Sequence, residues 1–300
     1  MKVLVSGASG LIGSALAQSL VAAGHAALRL VRRPTSAGDE VAWDPAVDAL
    51  DAARLEGLDA VVHLAGENIA QGRWTATKKG RILASRAGGT RLLAAALAQL
   101  TTPPRCFGSA SAIGYYGNRP DEDVDEASEP GSGFLADVCR QWEAAAEPAA
   151  AAGIRTVLLR FGVVLDPASG ALAKMLPLFR WGLGGRLGNG RQWVSWISRS
   201  DAVAAIMHVL GDDALRGPAN LVAPQPVTAG ELAAALGRVL RRPAVLHVPA
   251  FALRLLAGEM ADEMLLAGVR AVPRRLRESG FAFRDPQLEP ALRHMLGSIP

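Results

Sequence analysis

The glycine spacing near the start of the chain limits the fold more than any other feature of the sequence. The segment VSGASGLIG places Gly7, Gly10 and Gly13 between an apolar run at 3–5 and a helical pattern at 11–23. In such a strand, turn and helix, the glycines allow a tight turn, a close approach of the backbone to a pyrophosphate, and close helix packing. The free N–H groups and positive dipole end of the helix attract phosphates. The sequence therefore predicts a dinucleotide site here.

Apolar runs of strand length alternate with longer helical patterns over the first half of the chain. The runs are 3–5, 27–31, 60–64, 106–109 and 156–161, and the helical patterns are 11–23, 78–100 and 134–152. Strands that are apolar throughout indicate a parallel sheet covered on both faces, so we predict an α/β fold with a doubly wound parallel sheet.

The character of the sequence changes after Gly162. Residues 165–198 are rich in glycine and tryptophan, which predicts loops and short strands over a site. A helix at 201–210, a strand at 218–222 and a mainly helical remainder are expected to follow. We predict a dinucleotide-binding domain of residues 1–165 and 197–224, and a smaller substrate-side domain of residues 166–196 and 225–300.

Composition excludes several classes of protein. The net charge of +4 comes without a long basic stripe or interleaved aromatics, so nucleic-acid binding is not expected. Cys106 and Cys139 lie far apart without a CxxC, which argues against a disulfide framework or a metal site. The chain shows neither a secretory leader nor an apolar run of membrane length, so we expect a soluble, cytoplasmic protein without a membrane partner. The acidic run 121–126 is predicted to be a solvated loop, with a substrate lid as the alternative.

The predicted second strand ends in LRLVRRP, with two arginines where an NAD-binding protein places an acidic residue for the ribose hydroxyls. Arg32 and Arg33 are suited to bind a 2′-phosphate through charge-assisted hydrogen bonds. We therefore predict NADP(H) as the cofactor in preference to NAD. The alternative is a pair of solvent-exposed arginines at a strand end.

Several segments together resemble the extended and atypical branch of the short-chain dehydrogenase/reductase superfamily, which contains the nucleotide-sugar epimerases. They are GASGLIG at 7–13, HLAG at 63–66, SRAGGTRLL at 85–93, SASAIGYYG at 109–117 and LRFGVVL at 159–165. The chain is most similar to an epimerase-family group with a small C-terminal domain, through GENIAQGRW, FLADVCRQWE and GLGGRLGNGRQWVSWIS. The resemblance covers nearly the whole chain and implies a Rossmann fold.

The resemblance also implies roles for individual residues. The expected cofactor contacts are Gly7, Ser9, Gly10, Leu11, Ile12 and Gly13 at the pyrophosphate, Leu64, Ala65 and Gly66 on the adenosine side, and Ser109 and Phe161. Arg86 is expected to contact the cofactor or the substrate, or else to lie on a helix surface. Ser111 matches the hydroxyl that hydrogen-bonds a substrate carbonyl in the epimerases. His63 precedes the cofactor-lining turn on a buried strand, so we expect a hydrogen-bonded core histidine.

The segment GFLADVCRQWE departs from the family pattern. In the epimerases a tyrosine on this helix moves the substrate proton, and a lysine four residues later lowers the tyrosine pKa. Leu135 and Cys139 occupy these positions, and no Tyr-x-x-x-Lys exists anywhere in the chain. We predict that Tyr115 or Tyr116 reaches the nicotinamide as the catalytic group, with an aromatic wall of the pocket as the alternative. Cys139 is expected to be a small buried residue without thiolate reactivity.

The segment GNGRQWVSWIS is predicted to form the second side of the site. Arg191, Gln192, Trp193 and Trp196 offer a cation, an amide and flat aromatic surfaces to a polar or phosphorylated substrate. Arg160 and Lys174 are further cationic candidates. The two tryptophans are equally suited to packing the small domain onto the large one.

These features predict an NADP-binding oxidoreductase or epimerase-like enzyme that acts on an unidentified small polar substrate, with nucleotide sugars among the candidates. Hydride transfer needs mainly orientation by the protein, so the missing pair weakens proton transfer more than binding. The alternative is a non-catalytic NADP(H)-binding sensor or regulatory protein. Monomeric and homodimeric states are both compatible with the sequence.

Overall fold

A computed structural model describes residues 1–297 of the chain. Its strands are β1 (Lys2–Ser6), β2 (Ala26–Val31), β3 (Glu40–Asp44), β4 (Ala49–Leu50), β5 (Ala60–His63), β6 (Cys106–Ala112), β7 (Arg119–Val124), β8 (Arg155–Phe161), β9 (Val163–Leu165), β10 (Gly185–Leu187), β11 (Trp193–Val194), β12 (Trp196–Ser198), β13 (Gly217–Leu221), β14 (Val227–Thr228), β15 (Leu246–Val248) and β16 (Val269–Ala271). Its α-helices are α1 (Leu11–Ala22), α2 (Ala76–Leu83), α3 (Gly89–Ala98), α4 (Phe134–Ala144), α5 (Glu147–Ala151), α6 (Gly170–Arg180), α7 (Arg199–Gly211), α8 (Ala229–Leu240), α9 (Ala250–Ala257), α10 (Arg274–Glu278) and α11 (Leu288–Leu296). Short 3₁₀ or π turns occur at Ala52–Leu55, Ala84–Gly88, Ile113–Tyr116 and Ala261–Leu266.

An eight-stranded sheet forms the centre of the fold. Its strand order is β13-β8-β6-β5-β1-β2-β3-β4, and neighbouring strands run parallel except for β3 and β4. The chain builds outward from β1 on one side and returns to β5 on the other, so the order reverses at β1. Ligands of open α/β sheets bind at such a switch point. The predicted doubly wound parallel sheet is confirmed.

Both faces of the sheet are covered by helices. One face packs against α1 and α7, where Leu16, Leu20 and Ile206 are fully buried. The other face packs against α3, where Leu93 and Leu97 are fully buried. Burying each of these side chains stabilises the fold by about 1.5–3 kcal/mol, which explains why the central strands are apolar on both sides.

A third apolar cluster lies beyond the sheet. It brings together α6, α8, α11 and the loop strand β12, through residues such as Leu176, Trp196, Leu236 and Leu292. Leu276 of α10 packs instead into the core of the large sheet. The division into two domains stays a prediction, and part of the segment 225–300 packs with the large sheet.

Four local features differ from the sequence expectations. Strands β3 and β4 extend the sheet, the helix expected at 78–100 is interrupted by the π turn at 84–88, and α6 lies in a segment expected to contain only loops and strands. The acidic run 121–126 was expected to be a loop, but residues 119–124 form β7, which pairs with β16. Asp121, Glu122 and Asp123 of β7 remain exposed, as is usual for an edge strand, whereas Glu126 at the end of the run is buried and accepts from the Asn220 N–H.

The structure also bears on membrane insertion. Across residues 1–297, no helix has the length and apolar character needed to cross a bilayer.

Candidate functional site

The glycine-rich turn lies at the carboxyl end of β1. Gly7 has a φ of +64°, and a Cβ there would lie 2.9 Å from the Leu64 carbonyl, while a Cβ on Gly13 would lie 2.2 Å from the Gly7 oxygen. Both positions therefore require glycine. Ser9 and Gly10 are exposed, and no side chain from the described residues caps α1, so its first N–H groups are open to an anion. These residues fit a dinucleotide pyrophosphate. The other predicted contacts of this turn, Leu11 and Ile12, lie half-buried in the first turn of α1.

Ser6 and His63 hold the neighbouring turn, residues 64–66, in place. The Leu64 and Ala65 N–H groups donate to the Ser6 hydroxyl at 2.9 and 3.1 Å, and this hydroxyl lies 2.7 Å from His63 Nδ1. Because the hydroxyl already accepts two bonds, it donates its proton to Nδ1, which makes His63 the neutral Nε2–H tautomer. Complete burial lowers the His63 pKa to about 4. His63 is therefore a hydrogen-bonded core histidine, as expected, and it positions the turn.

The two arginines after β2 have different surroundings. Arg33 donates from Nη2 to Glu40 Oε1 at 2.7 Å, and the Glu40 side chain is only 3 % exposed. Arg32 is exposed and forms no hydrogen bond or ion pair with the residues in 1–297. Arg32 is thus available to a 2′-phosphate, whereas Arg33 is held beside it by a buried carboxylate.

Three neighbouring strands align polar side chains at their carboxyl ends. The register pairs Ser111 of β6 with Arg160 of β8, and Arg160 with Asn220 of β13. The carboxylate of Glu143, on α4, accepts from the Ser111 hydroxyl at 2.6 Å and from Nε and Nη2 of Arg160 at 2.8 Å each. The Arg160 and Glu143 side chains are 4 % and 9 % exposed. This bidentate pair fixes the position of the Ser111 hydroxyl in a site nearly closed to water.

The two tyrosines follow β6 and face this network. Tyr116 is fully buried, donates to Asn220 Oδ1 at 2.7 Å and accepts from Arg160 Nη1 at 2.9 Å. Burial raises the pKa of Tyr116 to about 12. Tyr116 is therefore a buried member of the network, and its catalytic role stays a prediction, as does that of Ser111, whose hydroxyl is likewise buried and hydrogen-bonded. Tyr115 is half-buried, with its ring centroid 3.6 Å from the Arg160 guanidinium carbon, and its role stays a prediction.

The helix α4 presents an apolar face where the sequence resemblance places a tyrosine and a lysine. A Cβ on Gly114, in the turn after β6, would lie 3.4 Å from Leu135 Cβ and 3.7 Å from the Cys139 sulfur. Burial raises the pKa of the Cys139 thiol to about 12, so the thiol stays protonated near neutral pH. The expectation that Cys139 is a small buried residue is confirmed.

A carboxylate from the C-terminal region caps α4. Glu263 accepts hydrogen bonds from the N–H groups of Phe134 and Leu135, each at 3.1 Å. Beside this cap, Lys79 pairs with Glu259 at 2.7 Å and lies 4.4 Å from the Phe134 ring centroid. The C-terminal region therefore contacts the first turn of α4, the helix that carries Glu143.

Arg86 lies under the turn at 64–66. It donates to the Glu67 carbonyl at 3.0 Å, and its guanidinium carbon lies 3.4 Å from the place that a Cβ on Gly66 would occupy. Arg86 thus supports the turn and does not lie on a helix surface. The other two predicted contacts are Ser109, which is buried and has no hydrogen-bond partner for its Oγ among the described residues, and Phe161, which is half-buried.

The segment 191–196 divides into buried and accessible residues. Gln192 is buried and donates to two backbone carbonyls, and Trp196 is fully buried in the third apolar cluster. Both residues brace the fold, contrary to the prediction that they bind substrate, because packing and backbone hydrogen bonds enclose them. Arg191 is exposed, and Trp193 is half-buried with its Nε1 donating to a carbonyl of β7. Roles for Arg191 and Trp193 in substrate binding stay predictions.

Glu143 and Asn220 belong to the hydrogen-bond network around Arg160 but were absent from the predicted site residues. The sequence feature that could have indicated them is Arg160 itself, a charged residue inside the apolar run LLRF. Buried arginines are usually paired with a carboxylate, so an arginine in a central strand indicates a buried acid nearby.

The switch-point turn, the arginines after β2 and the polar row across β6, β8 and β13 define a dinucleotide-binding protein of the short-chain dehydrogenase/reductase class. Residues 3–222 match the model of the NAD dependent epimerase/dehydratase family, and residues 248–295 match a domain of unknown function, DUF1731. The chain belongs to this epimerase family, which confirms the resemblance inferred from the sequence.

Known proteins match nearly the whole length of this chain. The epimerase family protein ML0860 of Mycobacterium leprae is 45% identical over 290 residues, which cover 97% of this chain and 94% of that protein. The crystal structure of human epimerase family protein SDR39U1 with NADPH is 35% identical, has a TM-score of 0.90, and covers 98% of this chain and 99% of its own. The structure of a nucleoside-diphosphate sugar epimerase from Corynebacterium glutamicum is 35% identical with a TM-score of 0.82, over 99% of this chain and 58% of that one.

Proposed function

We propose that this protein binds NADP(H) at the carboxyl ends of β1, β2 and β5 and catalyses hydride transfer to or from a small polar substrate. The observation that carries the proposal is the buried Glu143 carboxylate, which holds the hydroxyl of Ser111 at the same sheet edge as the glycine turn. A buried ion pair contributes little net stability compared with apolar packing, so the pair with Arg160 favours a functional explanation.

The cofactor assignment rests on the two turns and on Arg32. The turn at Gly7 to Gly13 fits the pyrophosphate, and the exposed guanidinium of Arg32 suits a 2′-phosphate. The NADPH bound to the human relative supports the same choice here. When bound, the nicotinamide donates or accepts the hydride.

The proton is handled by Ser111 and Glu143. During oxidation of an alcohol, a bound oxidised nicotinamide would accept the hydride from the substrate carbon, and Ser111 Oγ takes up the O–H proton of the substrate. Ser111 releases its own proton to Glu143 Oε1, which lies 2.6 Å away, and the C=O bond forms. Reduction of a carbonyl reverses each transfer. Arg160 holds the carboxylate in position through two hydrogen bonds.

Binding and turnover experiments test this proposal in sequence. Calorimetric titration with NADPH and NADH is expected to show tighter binding of NADPH. A panel of carbonyl compounds and nucleotide sugars, followed at the nicotinamide absorbance, is then expected to reveal a substrate. Ser111→Ala should lower kcat about 100-fold or more without changing NADPH affinity, since general acid–base groups contribute on this scale. Retention of kcat in Ser111→Ala would exclude the proposed proton route.

The apolar face of α4 favours a second candidate function, a non-catalytic NADP(H) sensor. Leu135 and Cys139 occupy the positions that carry the proton-transfer pair in the epimerases, and the Cys139 thiol stays protonated. A sensor binds NADPH without oxidising it in the presence of any substrate in the panel. Tight NADPH binding together with an absence of turnover would favour this function over the enzyme.

A further inference from the structure

Two stretches of the chain contain no acidic residues. Residues 167–200 and 232–258 contain nine lysines and arginines and no aspartate or glutamate. The whole chain has 32 basic and 28 acidic residues, so this separation is local. The stretches meet in the fold, because β10 pairs with β15 through Gly185 and Leu246. Their charge creates a positive surface that favours an anionic partner.

The same two stretches carry most of the large apolar side chains that reach solvent. These side chains, called the apolar face below, are Leu178, Trp181, Leu183, Val245, Leu246, Phe251, Leu255 and Leu256. Elsewhere in residues 1–297, the exposed large apolar side chains are Met1, Val21 and Val47. Trp181 is 82% exposed and Phe251 is 71% exposed, so they project into solvent and do not line a groove. A concentration of this kind marks an interaction surface.

Backbone contacts join the parts of the apolar face. The Leu183 N–H donates to the Leu178 carbonyl at 2.9 Å, and the Leu246 N–H donates to the Gly184 carbonyl at 3.2 Å. Helix α9, which carries Phe251, begins two residues after β15. The exposed ends of α6 and β15 are therefore neighbours, and α9 continues directly from them.

Four arginines of these stretches are available to an external anion. Arg180, Arg186, Arg191 and Arg242 are exposed and form no ion pair with the residues in 1–297. The remaining arginines include three that are already paired: Arg199 with Asp166, Arg238 with Glu289, and Arg254 with Asp262. The unpaired arginines lie in the same segments as Trp181, Leu183 and Val245.

We propose that the apolar face docks on the surface of an anionic lipid bilayer, in contrast to the expectation from the sequence that the protein has no membrane partner. Trp181, Phe251 and the leucines of α9 enter the interfacial region, and Arg180, Arg186 and Arg242 contact anionic headgroups. A second copy of this chain does not fit as well, because a two-fold interface would bring cationic stretches together without an acidic residue from either stretch. An acidic peptide is also disfavoured, since helical and extended peptides bind in grooves and these side chains project outward.

Vesicle sedimentation tests the proposal with the full-length protein. The protein is expected to sediment with vesicles of equimolar phosphatidylcholine and phosphatidylglycerol but not with phosphatidylcholine alone. Added salt should weaken the binding. Trp181→Ser combined with Phe251→Ser should lower the vesicle affinity about tenfold or more. Arg186→Gln should lower it about fivefold, because one basic residue near an anionic surface contributes on that scale.

Val21→Ser combined with Val47→Ser provides a matched control, because these exposed valines lie outside the two stretches. Vesicle binding by this control should equal that of the unchanged protein, and all variants should bind NADPH normally. No binding to the anionic vesicles, or equal losses in the control and the face variants, would overturn the proposal. It would also fail if light scattering showed a dimer that Trp181→Ser dissociates, since the face would then join two copies. NADPH affinity reports separately on the proposed enzymatic function.

Discussion

Replacing Arg32 by glutamine is expected to remove most of the preference for NADPH over NADH. The guanidinium is exposed and unpaired within residues 1–297, so binding a 2′-phosphate breaks no bond to these residues. A hydrogen bond to a charged group contributes about 1.5–3 kcal/mol, which corresponds to an increase of about 10- to 150-fold in the NADPH Kd. NADH lacks the 2′-phosphate, so its Kd should stay unchanged.

Arg33→Gln is the matched control. Arg33 already donates to Glu40, so its loss should change NADPH affinity less than the loss of Arg32. It should instead lower the free energy of unfolding by about 1–3 kcal/mol, because the buried Glu40 carboxylate loses a partner. Arg29, at 3.2 Å, and the Thr35 hydroxyl, at 2.7 Å, remain to limit this loss.

Calorimetry with both nucleotides at one fixed ionic strength measures the two affinities, since salt screens an exposed arginine. Urea unfolding measures the stability of each variant. Equal losses of NADPH and NADH affinity in Arg32→Gln would refute the assignment of a 2′-phosphate site. A larger loss of NADPH affinity in Arg33→Gln than in Arg32→Gln would refute the argument from the Glu40 contact.

Three other changes examine the interior of the site. Glu143→Gln should lower the free energy of unfolding by about 3 kcal/mol, because Arg160 keeps its buried charge beside a neutral partner; a loss near zero in urea unfolding would contradict this. Burial lowers the His63 pKa from 6.5 to about 4. Below pH 6.5 the unfolded chain therefore binds a proton that the folded protein does not bind, so the free energy of unfolding should fall by about 3 kcal/mol between pH 6.5 and pH 4. His63→Gln should remove that part of the pH dependence, which urea unfolding at several pH values will show. Gly13→Ala should abolish NADPH binding in calorimetry, since its Cβ would lie 2.2 Å from the Gly7 oxygen; unchanged affinity would contradict the proposed fit.

The central sheet was predictable because its strands are buried on both faces. Such strands read as continuous apolar runs, and the runs at 60–64 and 156–161 correspond closely to β5 and β8. Strand β3 was missed because EVAWD mixes charged and apolar residues and reads as neither strand nor helix. Helix α6 was missed because it contains Pro177 and lies in a glycine-rich segment, both of which disfavour a helix. It forms because its apolar side chains pack in the third apolar cluster.

Parts of the site that are formed by consecutive residues were predictable, and parts formed by residues distant in the sequence were not. The glycine turn is local, because the strand, turn and helix follow one another in the chain. The polar network is not local: strand register brings Ser111 beside Arg160, and helix packing adds Glu143 from a third element. The role of Trp196 could not be assigned from the sequence, because tryptophan is common both in cores and in binding sites. The structure shows it buried in the third apolar cluster.

The hydrogen bonds from α4 to Glu263 link the segment 3–222, which matches the epimerase family, to the segment 248–295, which matches DUF1731. A chain ending before residue 248 would keep all eight strands of the central sheet but would lose the acceptor for the first N–H groups of α4. That helix also carries Glu143, so fraying at its start would reach the element that positions the Ser111 hydroxyl. The C-terminal segment therefore completes the helix beside the site, and exchanging it between relatives would require a carboxylate at this position to be kept.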